Sequence, residues 1–272
     1  MLANPLIMTP SLAKIRIYPI KSLDALELDQ VEIGTHSLKG DREFAMITPD
    51  GNFFNGKRSG LVNQLNAEYD LKSRGVLFSR RGQAQTRFHL DEDREAINEY
   101  LSDFFSAKIT LLQNNAGDLM DIPKVSSVTL LSEASLQSLQ SDMQEYPVDE
   151  LRLRFRANLE ISGFPPFGEE QLFYDASHAV EFQIGEVTMF GISPRARCNV
   201  PPRNPYTGEP STGFVKQMME SRRKSLPNDS RLPEFGGMYH LTVNVFVDET
   251  QAGKKLKIGD PLTILGPRAI AR

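Results

Sequence analysis

The sequence predicts a mainly β (α+β) fold, made of two β-rich units that carry helical insertions. Apolar and polar residues alternate along residues 12–20 and again along 241–247, which is typical of half-buried strands. Residues 179–184 and 187–192 flank a Gly185-Glu186 turn and predict a β-hairpin. Because 272 residues fit two domains of ordinary size, we place a boundary in the loop 114–124 and predict domains over 10–124 and 125–268.

The first unit is predicted to be mostly sheet with one helix. Its first strand ends at Pro19, and further short strands are expected at 31–33, 44–47 and 75–79, separated by glycine and proline turns. The exception is 91–105, where Asp91 or Asp93 can cap a helix. The apolar residues of this helix fall on one face: Ile97, Leu101, Phe104 and Phe105.

The second unit begins with a predicted strand at 128–131, and Ser132 is a good N-cap for the helix that follows. Pro147 suits the N1 position of a second helix, which would leave Arg152 and Arg156 on a basic face. The remaining elements are predicted as strands at 159–161 and 261–265 and a helix at 212–224.

Composition and charge exclude several classes of function. With 35 acidic and 31 basic residues the formal net charge is -4, so we expect no nucleic-acid binding. One cysteine cannot form an internal disulfide or hold an iron–sulfur cluster, and four scattered histidines disfavour a multi-histidine zinc site. No apolar run approaches the roughly 20 residues of a membrane span and no leader pattern opens the chain, so we expect a cytoplasmic protein without membrane association.

The lone cysteine, Cys198, is the first candidate functional residue. Arg195 and Arg197 precede it and a proline-rich loop at 201–210 follows, an electropositive setting that favours the thiolate. A thiolate is both a nucleophile and a soft metal ligand. The alternative is a buried structural cysteine, which most lone cysteines are.

A second candidate is the cluster of Arg152, Arg154 and Arg156 with Asn158, whose planar donor groups could bind a phosphate. The alternative is a solvated helix face. Glu133 and Ser135 could add polar contacts near the start of the preceding helix.

Six motifs occur in an order that resembles MOSC proteins with an N-terminal MOSC β-barrel domain. This group includes the mitochondrial amidoxime-reducing components and their bacterial relatives. The motifs span residues 12–266: Tyr18-Pro19-Ile20-Lys21-Ser22, Gly40-Asp41-Arg42, Leu131-Ser132-Glu133-Ala134-Ser135-Leu136, Arg154-Phe155-Arg156-Ala157-Asn158, Arg197-Cys198 with Asn204-Pro205-Tyr206-Thr207-Gly208, and Ile258-Gly259-Asp260-Pro261.

The resemblance implies two β-barrel-like units, the first a MOSC N-terminal β-barrel domain and the second a MOSC domain that binds the molybdenum cofactor (molybdopterin). Cys198 would be the catalytic residue and the metal ligand. The residues expected to bind the rest of the cofactor are Lys21, Ser22, Arg42, Ser132, Glu133, Ser135, Arg156, Asn158 and Arg197. The chain departs from the family pattern at Leu23-Asp24, Ala157 and Ala196, which puts the pterin contacts there in doubt.

The activity that the resemblance implies is a molybdenum-dependent oxidoreductase that reduces the N–O bond of a small N-hydroxylated substrate. Some bacterial relatives carry a ferredoxin-like domain, whereas this chain has only one cysteine. Electrons would therefore come from a separate ferredoxin- or flavoprotein-like donor protein. Asp41 or Glu133 could be local polar partners, and no general acid is assigned. An alternative is a sulfur-carrier or cofactor-delivery protein in which Cys198 bears a persulfide or binds the cofactor transiently. A third is a β-rich binding protein without a redox role.

Overall fold

The predicted mainly β character with helical insertions is confirmed. A computed structural model describes residues 9–114, 119 and 128–270. In this part of the chain, no helix has both the length and the apolarity needed to cross a membrane. The described helices are α1 (Arg94–Phe105), α2 (Glu133–Asp142), α3 (Val148–Phe155) and α4 (Phe214–Lys224). The described strands are β1 (Ser11–Ile17), β2 (Leu26–Leu28), β3 (Gln30–Glu32), β4 (Phe44–Ile47), β5 (Leu65–Asp70), β6 (Gly75–Arg80), β7 (Thr86–His89), β8 (Thr110–Gln113), β9 (Val128–Ser132), β10 (Leu159–Ser162), β11 (Phe173–Asp175), β12 (His178–Ile184), β13 (Val187–Ala196), β14 (His240–Phe246), β15 (Lys255–Lys257) and β16 (Leu262–Ala269).

The largest sheet combines strands from both sides of the predicted domain boundary. Its order is β11-β12-β13-β14-β9-β10-β1-β2, with β16 paired to β12. Strand β1 enters it between β10 and β2, where Ile15 faces Leu159 on one side and Leu28 on the other. The path of hydrogen bonds through the described strands of this sheet is open, so they do not close into a barrel. Most of the loop 114–124, where we predict the boundary, lies outside the described residues.

The rest of the first unit forms two smaller sheets, β4-β8 and β5-β6-β7, around a separate apolar cluster. Helix α1 covers this cluster with Ile97, Leu101 and Phe105, as its periodicity predicts. Strands β5, β7 and β8 escaped sequence analysis. Strands β7 (TRFH) and β8 (TLLQ) are four residues long and lack a regular apolar alternation, so tertiary pairing determines them more than their own sequence pattern does. Strand β5 (LNAEYD) does alternate, with Leu65 and Ala67 buried, so its pattern was an available signal.

Both ends of α3 differ from prediction, and one difference moves a candidate site residue. Pro147 is the N-cap of α3 rather than its N1 residue. The helix ends at Phe155, and Arg156 follows in the left-handed conformation at φ 54°. Arg152 and Arg156 therefore do not share a helix face, and the predicted basic face is wrong.

Candidate functional site

A cavity of about 420 Å³ lies where the end of β1, the end of α3 and the end of β13 meet two loops, at residues 55–63 and 200–205. This volume is within the range of small-molecule and cofactor pockets, about 300–1,000 Å³. Six sequence-predicted site residues line the cavity: Lys21, Ser22, Arg42, Arg156, Arg197 and Cys198. Residues far apart in the sequence are thus brought to one place by the fold.

The charge of the cavity wall is strongly one-sided. The described lining contains one acidic side chain, Asp24, against ten basic ones: Arg16, Lys21, Arg42, Lys57, Arg152, Arg154, Arg156, Arg195, Arg197 and Arg203. The whole chain has a formal net charge of -4, so this concentration of cations is local. Walls of one sign in a concave site raise the local concentration of oppositely charged ligands, so the cavity favours an anion.

Three of these arginines bind carbonyl oxygens instead of carboxylates. Arg156 donates to the Leu23 carbonyl (2.6 Å), Arg197 to that of Phe155 (2.9 Å) and Arg203 to that of Gly208 (3.0 Å). Within the described residues, none of the three has a carboxylate oxygen within 4.0 Å. Each guanidinium group has five N–H donors, so the three keep both their charge and donor capacity for a ligand.

The Tyr18 ring organises one end of the cavity. The guanidinium carbons of Arg42 and Arg156 lie 4.4 and 4.2 Å from its centroid, an arrangement typical of cation–π contacts. Arg42 also binds the buried Asp41 carboxylate and donates to Asn158 Oδ1 (3.1 Å). Burial lowers the pKa of Arg156, and the nearby charge of Arg42 acts in the same direction. An arginine pKa remains far above neutrality, so this end presents two fixed positive charges.

Lys21 and Ser22 reach the same cavity from the turn after β1. The ammonium of Lys21 donates to the Leu119 carbonyl (2.8 Å) and lies 4.1 Å from the Phe53 ring centroid. Ser22 adopts a positive φ of 75°. The sequence motif around Pro19 therefore forms a tight turn at the cavity wall.

The Cys198 side chain is exposed and forms no disulfide. It follows the last residue of β13 by two positions, at the cavity wall. The alternative of a buried structural cysteine is therefore wrong. Burial, and then the charge of Arg195, lower the pKa of the adjacent Arg197 to about 10. The thiol thus lies beside a positive charge.

Arg154 supports the cavity wall by holding the loop that follows Cys198. It donates to the carbonyls of Pro201 (2.8 Å) and Arg203 (2.7 Å) and to the Ser211 hydroxyl (2.9 Å), and it pairs with Glu150 (2.6 Å). Its donors are used by the protein, so it differs from Arg156 in having little left for a ligand. Arg154 is therefore one of the side chains that position this loop.

Four predicted cofactor residues are not among the described residues that line the cavity. The Asn158 side chain is buried, accepts from Thr129 and Arg42, and donates to the Arg16 carbonyl (3.0 Å). Ser132 is buried at the start of α2, and Glu133 occupies the first turn of that helix. Ser135 donates to the buried Glu169 (2.6 Å) and accepts from the Phe167 amide (2.7 Å). Asn158 supports the site through Arg42, whereas the two serines join the core.

The buried Glu169 makes stability depend on pH. Burial raises its pKa from 4.5 to about 7. The folded protein therefore binds a proton that the unfolded chain has released between those values, so this group's contribution to stability falls as the pH rises from 4.5 to about 7. At pH 8, urea unfolding should give Glu169→Gln a free energy of unfolding roughly 1–3 kcal/mol higher than that of wild type. The variant should also lack the pH dependence of stability that Glu169 causes. An unchanged pH dependence in Glu169→Gln would contradict the assignment.

Two loops of the cavity wall touch each other through glycine backbones. A Cβ atom on Gly208 would lie 2.0 Å from the Gly60 carbonyl oxygen, and one on Gly60 would lie 2.7 Å from that of Gly208. Gln64 Nε2 donates to the Thr207 carbonyl (3.0 Å), and the Arg81 guanidinium lies 5.4 Å from the Tyr206 ring centroid. We call this contact between 60–64 and 203–208 the clasp. It joins the two loops of the cavity wall, which are far apart in the sequence.

Gly208→Ala is expected to destabilise the protein by at least about 2 kcal/mol, because the new methyl group meets a backbone atom and the residue has a positive φ. Gly82→Ala is the matched control, since Gly82 has a φ of 81°, close to the 77° of Gly208, and a Cβ atom added there would have no neighbour within 4 Å. Urea unfolding of both variants separates the clasp contact from backbone strain. Equal losses in the two variants would show that the clasp contact contributes nothing.

Sequence analysis missed several wall residues, among them Arg16, Tyr18, Lys57 and Arg203. Tyr18 lies inside a recognised motif and Arg203 follows Cys198 closely. Their closeness in sequence to predicted site residues was the signal that could have identified them. The described residues also contain no group of three or more His, Cys, Asp or Glu side chains that could hold a metal.

Comparison with known proteins gives the following matches. A family model described as the MOSC N-terminal beta barrel domain matches residues 9–120, and a MOSC domain model matches residues 119–263. Human molybdenum cofactor sulfurase is 22% identical over 254 residues, covering 76% of this chain. The bovine protein of that name is 22% identical over 258 residues, covering 77% of this chain. The chain spans 28% of the length of each of these curated relatives.

Two solved structures align with this chain at low similarity. The YUAD protein from Bacillus subtilis aligns over 94% of both chains with a TM-score of 0.41 and 12% identity. A second structure, of a hypothetical protein, aligns over 95% of this chain and 67% of its own, with a TM-score of 0.39 and 10% identity. Likeness at this level carries no information about function.

Proposed function

Because the chain belongs to the MOSC domain family and is related to molybdenum cofactor sulfurase, we propose that it binds the molybdenum cofactor and reduces N-hydroxylated compounds. The supporting observation is the cavity, in which one exposed thiol stands among cationic side chains. A separate electron-donor protein would supply the reducing equivalents.

The donor set of the cavity fits such a group. A soft metal prefers a thiolate, which Cys198 can provide, and a phosphate prefers guanidinium donors, which Arg42 and Arg156 provide. A site made only of protein ligands is not formed in the described part of the chain, which agrees with a metal that arrives within a larger cofactor. The charge, the size and the ligand chemistry of the cavity therefore point in the same direction.

Each residue has a distinct proposed role. Cys198 would bind the metal, while Arg42 and Arg156 beside Tyr18 would hold the phosphate. Lys21, Ser22 and Arg197 would contact the remainder of the cofactor. When bound, the cofactor supplies the two-electron chemistry of N–O bond reduction. Asp41 is buried and ion-paired with Arg42, so its role is to orient that arginine.

The reductase proposal is tested with protein that contains close to one molybdenum per chain. The protein is mixed with a chemically reduced viologen and an aromatic amidoxime, and the amidine product is measured by chromatography. We expect amidine formation that stops in the metal-free protein. Metal-replete protein that gives no amidine, hydroxylamine or N-hydroxylated base reduction would overturn the reductase function.

The exposure of Cys198 and the names of the curated relatives favour a second candidate, a sulfur-carrier or cofactor-delivery protein. An accessible thiolate can carry a persulfide to a partner. Intact-protein mass spectrometry distinguishes the two candidates. A mass increase of one sulfur atom on Cys198, in protein that holds no molybdenum, would favour sulfur transfer, and stable metal without such an adduct would favour the reductase.

A further inference from the structure

The main chain that carries Cys198 is held at two points by one residue. Arg197 N–H donates to the carbonyl of Tyr239 (3.0 Å), and the phenol hydroxyl of Tyr239 donates to the carbonyl of Cys198 (3.2 Å). Cys198 itself lies past the end of β13, where the strand pairing with β14 has ended at Ala196 and His240. The Tyr239 side chain therefore links the two chain segments beyond the point where the β13–β14 pairing ends.

The Tyr239 ring is well placed to hold this contact. It packs against the apolar cluster that includes Phe155 and Leu241, and this packing restricts the motion of the ring and its hydroxyl. A tyrosine phenol is ordinarily protonated near neutral pH, so it can donate this hydrogen bond. Arg197, between the two contacts, is anchored in turn by the Phe155 carbonyl (2.9 Å).

We propose that Tyr239 is a positioning residue that holds the Cys198 backbone, and through it the thiol, in the orientation needed for metal binding. This rests on the proposed role of Cys198 as the metal ligand. The phenol acts on the carbonyl of residue 198, and the ring provides the rigidity. Such support matters because a ligand on an unsupported loop is held less accurately than one fixed by its surroundings.

Tyr239→Phe removes the hydroxyl and keeps the ring, and Tyr146→Phe, in the same apolar cluster, is the matched control. Because Cys198 is the single cysteine, a nitroxide label on the metal-free protein reports on this residue alone. We expect greater nitroxide mobility in Tyr239→Phe than in wild type or Tyr146→Phe. In molybdenum-loaded protein, metal loss during dialysis against a competing thiol should be about fivefold faster, the factor given by one hydrogen bond of ordinary net strength.

The outcomes separate this proposal from the proposed function. Wild-type mobility and wild-type metal retention in Tyr239→Phe would overturn the positioning role, as would the same changes in Tyr146→Phe. Wild-type protein that holds no molybdenum, with a mobile label in Tyr239→Phe, would instead overturn metal binding and leave the positioning of Cys198 intact. Equal thermal unfolding temperatures of the two variants show that the change is local.

Discussion

Cys198→Ser is expected to lower the molybdenum content of the purified protein from near one atom per chain to background. A serine hydroxyl stays protonated near neutrality and is a hard, weak donor, whereas a soft metal prefers a thiolate. The side chain is exposed, so the free energy of unfolding should change by no more than about 0.5 kcal/mol. The loss of metal would then be a loss of the ligand and not of the fold.

The matched control is Asn199→Ser, which introduces the same side chain at the next exposed position. Both variants are expressed in a host that makes the cofactor, and metal is measured by plasma mass spectrometry. Asn199→Ser should keep the wild-type metal content. Retention of molybdenum in Cys198→Ser would remove the thiolate from the proposed site.

Glu160→Ala is expected to destabilise the protein by about 3–5 kcal/mol, the usual cost of leaving buried charges without their partner. Glu160 is 1% exposed, and its Oε1 atom accepts from Arg16 (2.5 Å) and Arg152 (2.6 Å). Both arginines belong to the cavity wall. Removing the shared carboxylate therefore leaves Arg16 and Arg152 with only their exposed partners, Glu27 and Asp149, in a wall that is already strongly cationic.

Glu27→Ala is the control, because Glu27 also pairs with Arg16 (2.7 Å) but its side chain is 49% exposed. Exposed ion pairs contribute about 0–1 kcal/mol, so this variant should unfold close to wild type. Urea unfolding at neutral pH measures both variants. Similar losses for Glu160→Ala and Glu27→Ala would show that the buried carboxylate is not what holds the two arginines.

The parts of the site that sequence analysis found are those in which a residue type carries its own chemistry. Cys198 stands out because it is the one thiol and arginines flank it, and the structure places it at the cavity wall. Lys21, Ser22 and Arg156 were predicted from motif resemblance, and all three line the same cavity.

The arginines of residues 152–156 show what local sequence could not decide. Arg156 faces the cavity with its charge unpaired by a carboxylate, Arg154 holds the loop 201–211, and Arg152 pairs with Glu160. The three lie within five residues but have different partners, since helix α3 ends between Arg154 and Arg156. Which arginine is free for a ligand depends on long-range contacts that the sequence pattern does not contain.

The clasp and Tyr239 were missed for the same reason. Gly60 and Gly208 meet across 148 positions of the chain, a separation obtained from their residue numbers. Tyr239 is 41 residues from the cysteine whose carbonyl it binds. Neither contact has a short sequence signature, whereas the strands β4, β12 and β13 could be predicted because their apolar patterns are local.

Crystals of molybdenum-loaded protein, measured with X-rays on either side of the molybdenum absorption edge, test the central claim most directly. We predict one anomalous peak per chain, in the cavity and within bonding distance of Cys198 Sγ. A peak bound to other residues, or none in crystals whose protein contains molybdenum in solution, would contradict the proposal that this cavity and this thiol bind the cofactor.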